Sequence, residues 1–500
     1  MAVKLFKHQK NALEKAKNGN LALFHDCGCG KTLTALSIID HWRQYYEKRN
    51  EKFAALVVCP LSIIEPAWIA DCRKFMPHIS MVSLWSRNPK IRERRLAEEH
   101  QVYAANFETF KSLFRDIQAK EFKVMIIDES SKIKSPKSQI TRAALALAGI
   151  RMRGRKGVSF EADHIIPHRY VLSGTPAPND RSEYWAQMSF VAPGEVFSRN
   201  FYSFRGRYFT ARPLGRTGVN LYSFTKERDL ADEFNEKMAP FTDVVSKETA
   251  VDLPEQVHEV RTVKLSKAEQ AAYEKMRREL VLKLAGEEIL ATSALVEVMK
   301  ARQLTSGFCY GDKGVHQIGK SKLKELKELL EEIGVPNGHY SPTGRADLKS
   351  ETANTANQTN TEMKSTGRQV IIWCSFRHEM EIISQALKSA AVFGGDDDQR
   401  SKAISDFQSG KKRYLIANPQ SAGHGLTFVN CNYAIYFSIT YSYELLKQSQ
   451  DRIHRIGQKT KCTYYYLIAE KTIDQVIYDA LSRKEEMSAK VLEYLRSAAS

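Results

Sequence analysis

The sequence predicts an α/β fold with two parallel sheets, each flanked by helices. Two observations indicate it: short apolar runs alternate with helical stretches along most of the chain, and polar or charged residues directly follow several of those runs. This alternation is typical of a wound parallel sheet, and open sheets of that kind bind ligands at the carboxyl ends of their strands. The polar residues at these positions are therefore the candidates for function.

The first strand-like run, residues 20–24, is followed by a glycine-containing loop at residues 25–32 and then by a helical run. This is the setting of a phosphate-binding loop, in which backbone N–H groups and a lysine contact phosphates while a hydroxyl binds Mg²⁺. The matching residues are Gly28, Cys29, Gly30, Lys31 and Thr32. Because His25 stands where the longer pattern has its first glycine, a helix start that merely contains glycine is the alternative interpretation.

An acidic pair ends the buried-type strand at residues 123–127. Asp128 is suited to bind Mg²⁺ through water, and Glu129 to orient or deprotonate the attacking water, as metal-assisted hydrolysis of a nucleotide requires. On its own, such a pair is equally typical of a solvated turn. Together with Lys31, it predicts hydrolysis of a nucleoside triphosphate.

Residues 448–458 carry two arginines three positions apart, beside glutamines and a histidine. Guanidinium groups are permanently charged and make bidentate hydrogen bonds to phosphate, so an arginine can stabilise the charge that develops as a γ-phosphoryl group departs. We therefore expect Arg452 and Arg455 to be catalytic residues.

In their order along the chain, these segments resemble the motifs of the Snf-type (SWI/SNF-related) DNA translocases of helicase superfamily two. Further similar segments lie at residues 5–9, 57–64, 172–185, 393–407 and 421–428, so that the resemblance covers nearly the whole chain. Two positions differ from the common pattern. Ser131 replaces a histidine that couples hydrolysis to DNA, and residues 425–428 read Gly-Leu-Thr-Phe, which slightly resembles the fork-remodelling and strand-annealing members.

The resemblance implies two RecA-like motor domains, ATP and Mg²⁺ as cofactors, and DNA as a sequence-independent partner. It implies that Gln9, Gly425 and Gln448 complete the nucleotide site. It also implies that Thr32 and Asp128 hold Mg²⁺. The residues that it places against the DNA backbone are Ser62, Arg377 and Ser421.

We expect residues 1–192 to form the first motor domain, residues 193–311 a helical protrusion and linker, and residues 312–500 the second motor domain with C-terminal helices. Residues 334–367 are rich in Asn, Thr, Ser and Gly and poor in large apolar side chains, which predicts a disordered loop. Arginines alternate with aromatic residues at residues 204–216, a pattern that fits either contact with nucleic acid or helix packing.

The composition favours a polyanionic partner, because the net charge is +17. The eight cysteines form no CxxC pair, and we find neither a leader segment nor an apolar run of about 18 residues. We therefore expect an intracellular protein, in the cytoplasm or nucleoid of a bacterial or phage-infected cell.

The predicted function is an ATP-dependent motor that moves on double-stranded DNA and remodels forks, branched junctions or protein–DNA structures. Two alternatives remain. A strand-separating DNA or RNA helicase would use the same ATP site, and a non-enzymatic clamp would keep only the basic surface.

Overall fold

The computed structural model describes residues 5–153, 159–160, 164–178, 180–213, 220–247, 253–286, 291–311, 314–335, 368–422 and 426–483. The chain divides into two compact units, the first comprising Met1–Asp252 with His424–Leu426 and the second Leu253–Gly423 with Thr427–Ser500. Each unit is built around one large parallel sheet, which confirms the predicted α/β class. Within the described residues, no helix combines the length and the apolar character needed to cross a membrane.

The first unit contains a seven-stranded parallel sheet and two antiparallel hairpins. The strands are β1 (Leu21–His25), β2 (Ala55–Cys59), β3 (Met81–Ser83), β4 (Val102–Asn106), β5 (Val124–Asp128), β6 (Met152–Arg153), β7 (Ser159–Phe160), β8 (His168–Leu172), β9 (Phe209–Pro213), β10 (Asn220–Phe224) and β11 (Thr242–Val245). The large sheet has the order β11-β1-β8-β5-β2-β4-β3, whereas β6 pairs with β7 and β9 with β10.

Helices cover both faces of this sheet. They are α1 (Lys7–Lys17), α2 (Lys31–Glu47), α3 (Leu61–Ile63), α4 (Ala70–Phe75), α5 (Pro89–Ala97), α6 (Phe107–Ser112), α7 (Phe114–Ala119), α8 (Gln139–Leu147), α9 (Tyr184–Val191), α10 (Phe201–Tyr208) and α11 (Arg228–Met238). The central strands are apolar throughout because both faces are buried: in β1, Leu21 and Leu23 pack into one core, and Ala22 and Phe24 into the other. Burial of each of these leucine side chains stabilises the folded state by about 2 kcal/mol.

The second unit contains a six-stranded parallel sheet and one hairpin. Its strands are β12 (Gln256–Val263), β13 (Phe308–Gly311), β14 (Gly314–Gln317), β15 (Val370–Trp373), β16 (Ala390–Phe393), β17 (Tyr414–Ala417), β18 (Tyr433–Tyr436) and β19 (Cys462–Ala469). The sheet has the order β12-β19-β18-β15-β17-β16, and β13 pairs with β14. The helices are α12 (Lys267–Gly286), α13 (Ala291–Thr305), α14 (Ser321–Glu332), α15 (Arg377–Ala386), α16 (Asp397–Gln408), α17 (Tyr443–Gln450) and α18 (Ile473–Ser482).

This division differs from the predicted boundaries at residues 192 and 311. β11 pairs with β1, so the first sheet takes a strand from far beyond residue 192, and β12 pairs with β19, so the second sheet begins well before residue 312. Sequence patterns are local, whereas these pairings join residues about 200 positions apart, which is why the boundaries were missed. Most of the predicted loop at 334–367 lies outside the described residues, from residue 336 onward.

Candidate functional site

The predicted phosphate loop connects β1 to the 17-residue helix α2. Gly30 precedes the helix with a φ of +75°, and Gly28 has a φ of +91°. A Cβ atom on Gly30 would lie only 2.4 Å from the Gln9 side-chain nitrogen, so this position requires glycine for its backbone and for its surroundings. The N-terminus of α2, with its unpaired N–H groups, is therefore turned towards the loop, as phosphate binding requires.

Helix α1 supports the loop from behind. The buried Gln9 amide donates to the Gly30 carbonyl (3.1 Å) and accepts from the Phe6 N–H (2.9 Å). His8 Nε2 lies 2.9 Å from the Cys29 carbonyl and donates to it. Gln9 thus positions the loop in this structure, while its implied contact with adenine stays a prediction.

His25 holds the start of the loop as a core residue. Its ring is fully buried, and Nε2 lies 2.7 Å from the Asp243 carboxylate on β11, which also accepts from Lys15 (2.6 Å). Burial lowers the pKa of His25 although Asp243 opposes the shift, so the ring is neutral at pH 7 and donates through Nε2. The histidine in place of the usual glycine therefore fastens the loop to β11.

Lys31 is held on the loop itself. Its Nζ donates to the carbonyls of His25 (2.8 Å) and Asp26 (3.2 Å). Burial alone would lower the pKa of Lys31, but electrostatic interaction with Cys27, Glu129 and Asp128 raises it above the usual value. The ammonium group is thus charged, and carbonyl oxygens occupy its donors where phosphate oxygens would.

The acidic pair lies at the carboxyl end of β5, and only β8 separates β5 from β1 in the sheet. Asp128 accepts from the Trp68 indole (3.0 Å) and from the Glu129 N–H (3.0 Å). Burial, reinforced by Glu129, raises the pKa of Asp128 to about 6, against the opposing charge of Lys31. Trp68 is fully buried, and its hydrogen bond fixes the orientation of the Asp128 carboxylate.

The residues at this edge fit a magnesium ion. Among the described residues there is no group of three or more His, Cys, Asp or Glu side chains that could hold a metal alone. Mg²⁺ is usually held by one or two protein oxygens together with phosphates and water. A buried carboxylate whose charge is only partly balanced, beside the loop that ends in Thr32, matches that requirement.

Ser130, which follows the acidic pair, is linked to a residue that the sequence analysis missed. The Ser130 hydroxyl donates to the Gln187 side-chain oxygen (2.6 Å), and the Gln187 nitrogen donates to the carbonyls of Pro176 (2.6 Å) and Glu183 (3.0 Å). Both side chains are fully buried. A glutamine within the mostly apolar helix α9 was the signal that could have identified it.

In the second unit, the arginine segment lies between α17 and β19. Arg452 is buried and Arg455 is half-buried. The intervening His454 is hydrogen-bonded to the Pro254 carbonyl (2.7 Å) and to the Gln256 side chain (2.6 Å), which holds the segment against the start of β12. Gln448 is also buried, and its nitrogen lies 3.4 Å from Glu444.

Gln458, the last residue of the segment, closes the loop. Its nitrogen donates to the carbonyls of Cys431 (2.9 Å) and Ile453 (3.1 Å), and its oxygen accepts from the N–H groups of Lys459 (2.9 Å) and Thr460 (3.0 Å). Gly457 has a φ of +102°, a conformation that favours glycine. The Arg-Ile-Gly-Gln ending is therefore explained in large part by the geometry of the loop.

The three predicted DNA contacts lie at the surface of their units. Ser62 in α3 and Ser421 are exposed, and the Arg377 side chain is 90% exposed at the start of α15. Gly425 lies outside the described residues. The structure thus leaves the three side chains accessible, and their contact with DNA stays a prediction.

A buried polar network supports the loop that precedes Arg377. Glu379 accepts from the hydroxyls of Ser306 (2.6 Å) and Ser438 (2.7 Å) and from the backbone N–H groups of Ser375 (2.9 Å) and Phe376 (3.0 Å). Arg302 completes the network by donating to the Ser375 hydroxyl at 2.7 Å. This network joins the carboxyl ends of β15 and β18.

A phosphate loop on β1 and an acidic pair on β5 define the first unit as a nucleotide-hydrolysing fold of the parallel-sheet class. Residues 8–153 and 157–307 match the SNF2-related domain, and residues 353–457 match the helicase conserved C-terminal domain. The chain therefore belongs to the SNF2-related family, a family of DNA-dependent ATPases within helicase superfamily two.

Individual relatives are distant. Putative protein p41 of Acyrthosiphon pisum secondary endosymbiont phage 1 is 24% identical and covers 94% of this chain and 93% of its own. Nuclear protein STH1/NPS1 of Saccharomyces cerevisiae is 25% identical over 95% of this chain, which spans about a third (33%) of that protein. A solved SWI2/SNF2 ATPase core from Sulfolobus solfataricus in complex with dsDNA covers 100% of this chain and 97% of its own, with 20% identity and a TM-score of 0.42.

Proposed function

We propose that this chain is an ATP-driven motor that moves along duplex DNA and remodels forks, branched junctions or protein–DNA structures. The observation that carries the proposal is the electrostatic coupling of Lys31, which follows β1, to Asp128 and Glu129 at the end of β5, with only β8 between the two strands in the first sheet. Phosphoryl transfer to water requires at least three groups: a cation that binds phosphate, a carboxylate that binds the metal, and a carboxylate that positions the water. Membership of the SNF2-related family supports DNA as the activator.

In this proposal, Lys31 exchanges the His25 and Asp26 carbonyls for oxygens of the β- and γ-phosphates. Gly28, Cys29 and Gly30 contribute backbone N–H groups, and Gln9 the adenine contact. Thr32 and Asp128 hold Mg²⁺, which when bound draws negative charge from the phosphates. Glu129 orients the attacking water from the position directly after β5, where its backbone has a φ of +57°.

The other predicted site residues have the following roles in the proposal. Arg452 and Arg455 stabilise negative charge on the departing γ-phosphoryl group, and Gln448 and Gly425 complete the nucleotide site. Ser62, Arg377 and Ser421 contact the DNA backbone, so binding is independent of sequence. We also propose a bacterial or phage-infected cell as the setting, because the phage relative matches over almost its whole length.

The test is ATP hydrolysis measured with equal masses of blunt duplex, forked, four-way and single-stranded DNA, and with RNA. We expect duplex-containing DNA to stimulate turnover most, and displacement of a third strand from a triplex to report movement along the duplex. Strongest stimulation by RNA would favour the strand-separating helicase. Turnover that is absent in the wild type, with DNA binding retained, would favour the clamp.

A further inference from the structure

An exposed cluster of two tyrosines and one arginine lies on the first unit. Tyr202 and Arg205 belong to α10, and Tyr222 to β10. The Arg205 guanidinium lies 3.8 Å from the Tyr222 ring centre and 5.3 Å from that of Tyr202. We name these three residues the tyrosine–arginine platform.

The aromatic residues beneath the platform form an ordinary core. Phe204, Tyr208, Phe209 and Phe234 are all buried, with ring centres 5.3–6.4 Å apart in their closest pairings. The platform tyrosines differ, because Tyr202 is 63% exposed and Tyr222 is 36% exposed. The sequence left open whether the aromatic residues of this region pack in a core or contact nucleic acid. Packing explains the inner rings, but it does not explain the exposed Tyr202 and Tyr222.

Two arginines of α10 are held in different ways. Arg207 is paired with Glu233, which also accepts from Tyr208 (2.8 Å). In the part of the chain that the structure describes, the Arg205 guanidinium has no hydrogen bond and no carboxylate partner, and it lies over the rings of Phe201, Tyr202 and Tyr222. A stacked guanidinium keeps its N–H donors at the edge of the plane, where an incoming phosphate can accept from them.

We propose that the platform binds an unpaired DNA strand, with Arg205 donating to a backbone phosphate and the exposed Tyr202 ring stacking on a base. An aromatic ring has access to a base face only where the base is not stacked in a duplex, so the geometry favours a single strand over duplex DNA. The net charge of +17 agrees with a polyanionic ligand. The inference rests on the proposed function, and it narrows the substrate to duplex DNA that adjoins a single-stranded segment.

Binding of fluorescein-labelled oligothymidine and of a blunt duplex of equal length, followed by anisotropy, tests the proposal. We expect Arg205→Gln and Tyr202→Ala each to weaken binding of the single strand about tenfold while the affinity for duplex stays unchanged. Tyr202→Phe keeps the ring and should retain the affinity. Arg207→Gln is the matched control on the same helix and should change neither affinity, since its guanidinium is already paired with Glu233.

If the variants lost affinity equally for duplex and single strand, or lost affinity for neither, the proposal that the platform binds a single strand would be wrong. A single strand bound normally by all the variants would leave protein docking as the use of this surface and likewise reject the proposal. Thermal melting of each variant controls for folding. Stimulation of the wild-type ATPase by blunt duplex is measured in parallel, because its absence would reject the motor function while the single-strand assay still tests the platform.

Discussion

The two sheets carry their polar residues in different ways at the carboxyl ends of their strands. In the first unit, Lys31 and Asp128 are held by the backbone and by one indole, and their charges are only partly balanced. In the second unit, Glu379 uses both carboxylate oxygens to accept from hydroxyl and backbone N–H groups of the neighbouring loops. The same type of edge therefore positions loops in the second unit, whereas in the first unit we propose that it carries the reacting groups.

This difference affects how a sequence motif is to be interpreted. In the proposed function, Lys31 and Asp128, which follow strands of the first sheet, act directly on the nucleotide and its metal, so a motif match there points to reacting groups. In the segment 448–458, the histidine and the last glutamine maintain the loop that carries the arginines. A match there identifies first of all a loop conformation.

The largest effect is expected from Lys31→Ala. Removing the ammonium group deletes the phosphate contact, so turnover should fall by at least about 10³-fold. The matched control is Lys17→Ala, a half-buried lysine at the end of α1 that pairs with Glu14, which should retain full activity. A steady-state ATPase assay measures both, and a Lys31→Ala protein with normal turnover would reject the site.

Arg455→Ala should lower turnover by about 10²-fold to 10³-fold, since the charge on the departing phosphoryl group loses one donor. The melting temperature and the affinity for duplex DNA should not change. If DNA affinity falls as far as turnover does, Arg455 is a DNA contact and not a catalytic residue.

Gln458→Ala should separate loop positioning from chemistry in the same segment. The substitution leaves buried carbonyls and N–H groups without partners, so the free energy of unfolding should fall by about 2–3 kcal/mol. Urea denaturation measures the change. If Gln458→Ala were inactive but as stable as the wild type, the interpretation that Gln458 mainly holds the loop in place would be wrong.

The raised pKa of Asp128 predicts a dependence of stability on pH in the absence of nucleotide and metal. The folded-state pKa of about 6 lies above the ordinary value of 3.8, so the folded protein binds the extra proton and its stability falls as the pH rises from about 4 to 6. The slope is at most about 1.4 kcal/mol per pH unit. In melts with a chelator, Asp128→Asn should lack this component, and an identical pH profile for both proteins would contradict the assignment.

The smallest effect is expected at the link from the acidic pair to α9. Ser130→Ala and Gln187→Leu should each reduce the stimulation of ATP hydrolysis by DNA severalfold, with the unstimulated rate nearly unchanged, because the link positions the segment at Pro176 and not the nucleotide. A loss of the unstimulated rate alone would assign the link to the ATP site. Ser131, which stands where a coupling histidine was expected, is buried and serves as the comparison substitution, Ser131→Ala.

The sequence predicted the α/β class, the loop on β1 and the acidic pair on β5, because these depend on residues adjacent along the chain. It did not predict that Asp243 would hold His25 or that Trp68 would hold Asp128, since each partner lies far away in sequence. The same holds for Gln187 and for the strand β11. Long-range hydrogen bonds of buried side chains leave no local pattern beyond a polar residue in an apolar segment.

The bond between His25 and Asp243 has a mechanical consequence. β11 runs parallel to β1 and is the last strand of the first sheet along the chain, with main-chain bonds that continue to Asp26 beyond it. Tension applied to the chain after Val245 would load this strand pair in shear, the direction in which all its hydrogen bonds resist together. The phosphate loop is thus attached to the strand through which any pulling force on the outgoing chain must pass.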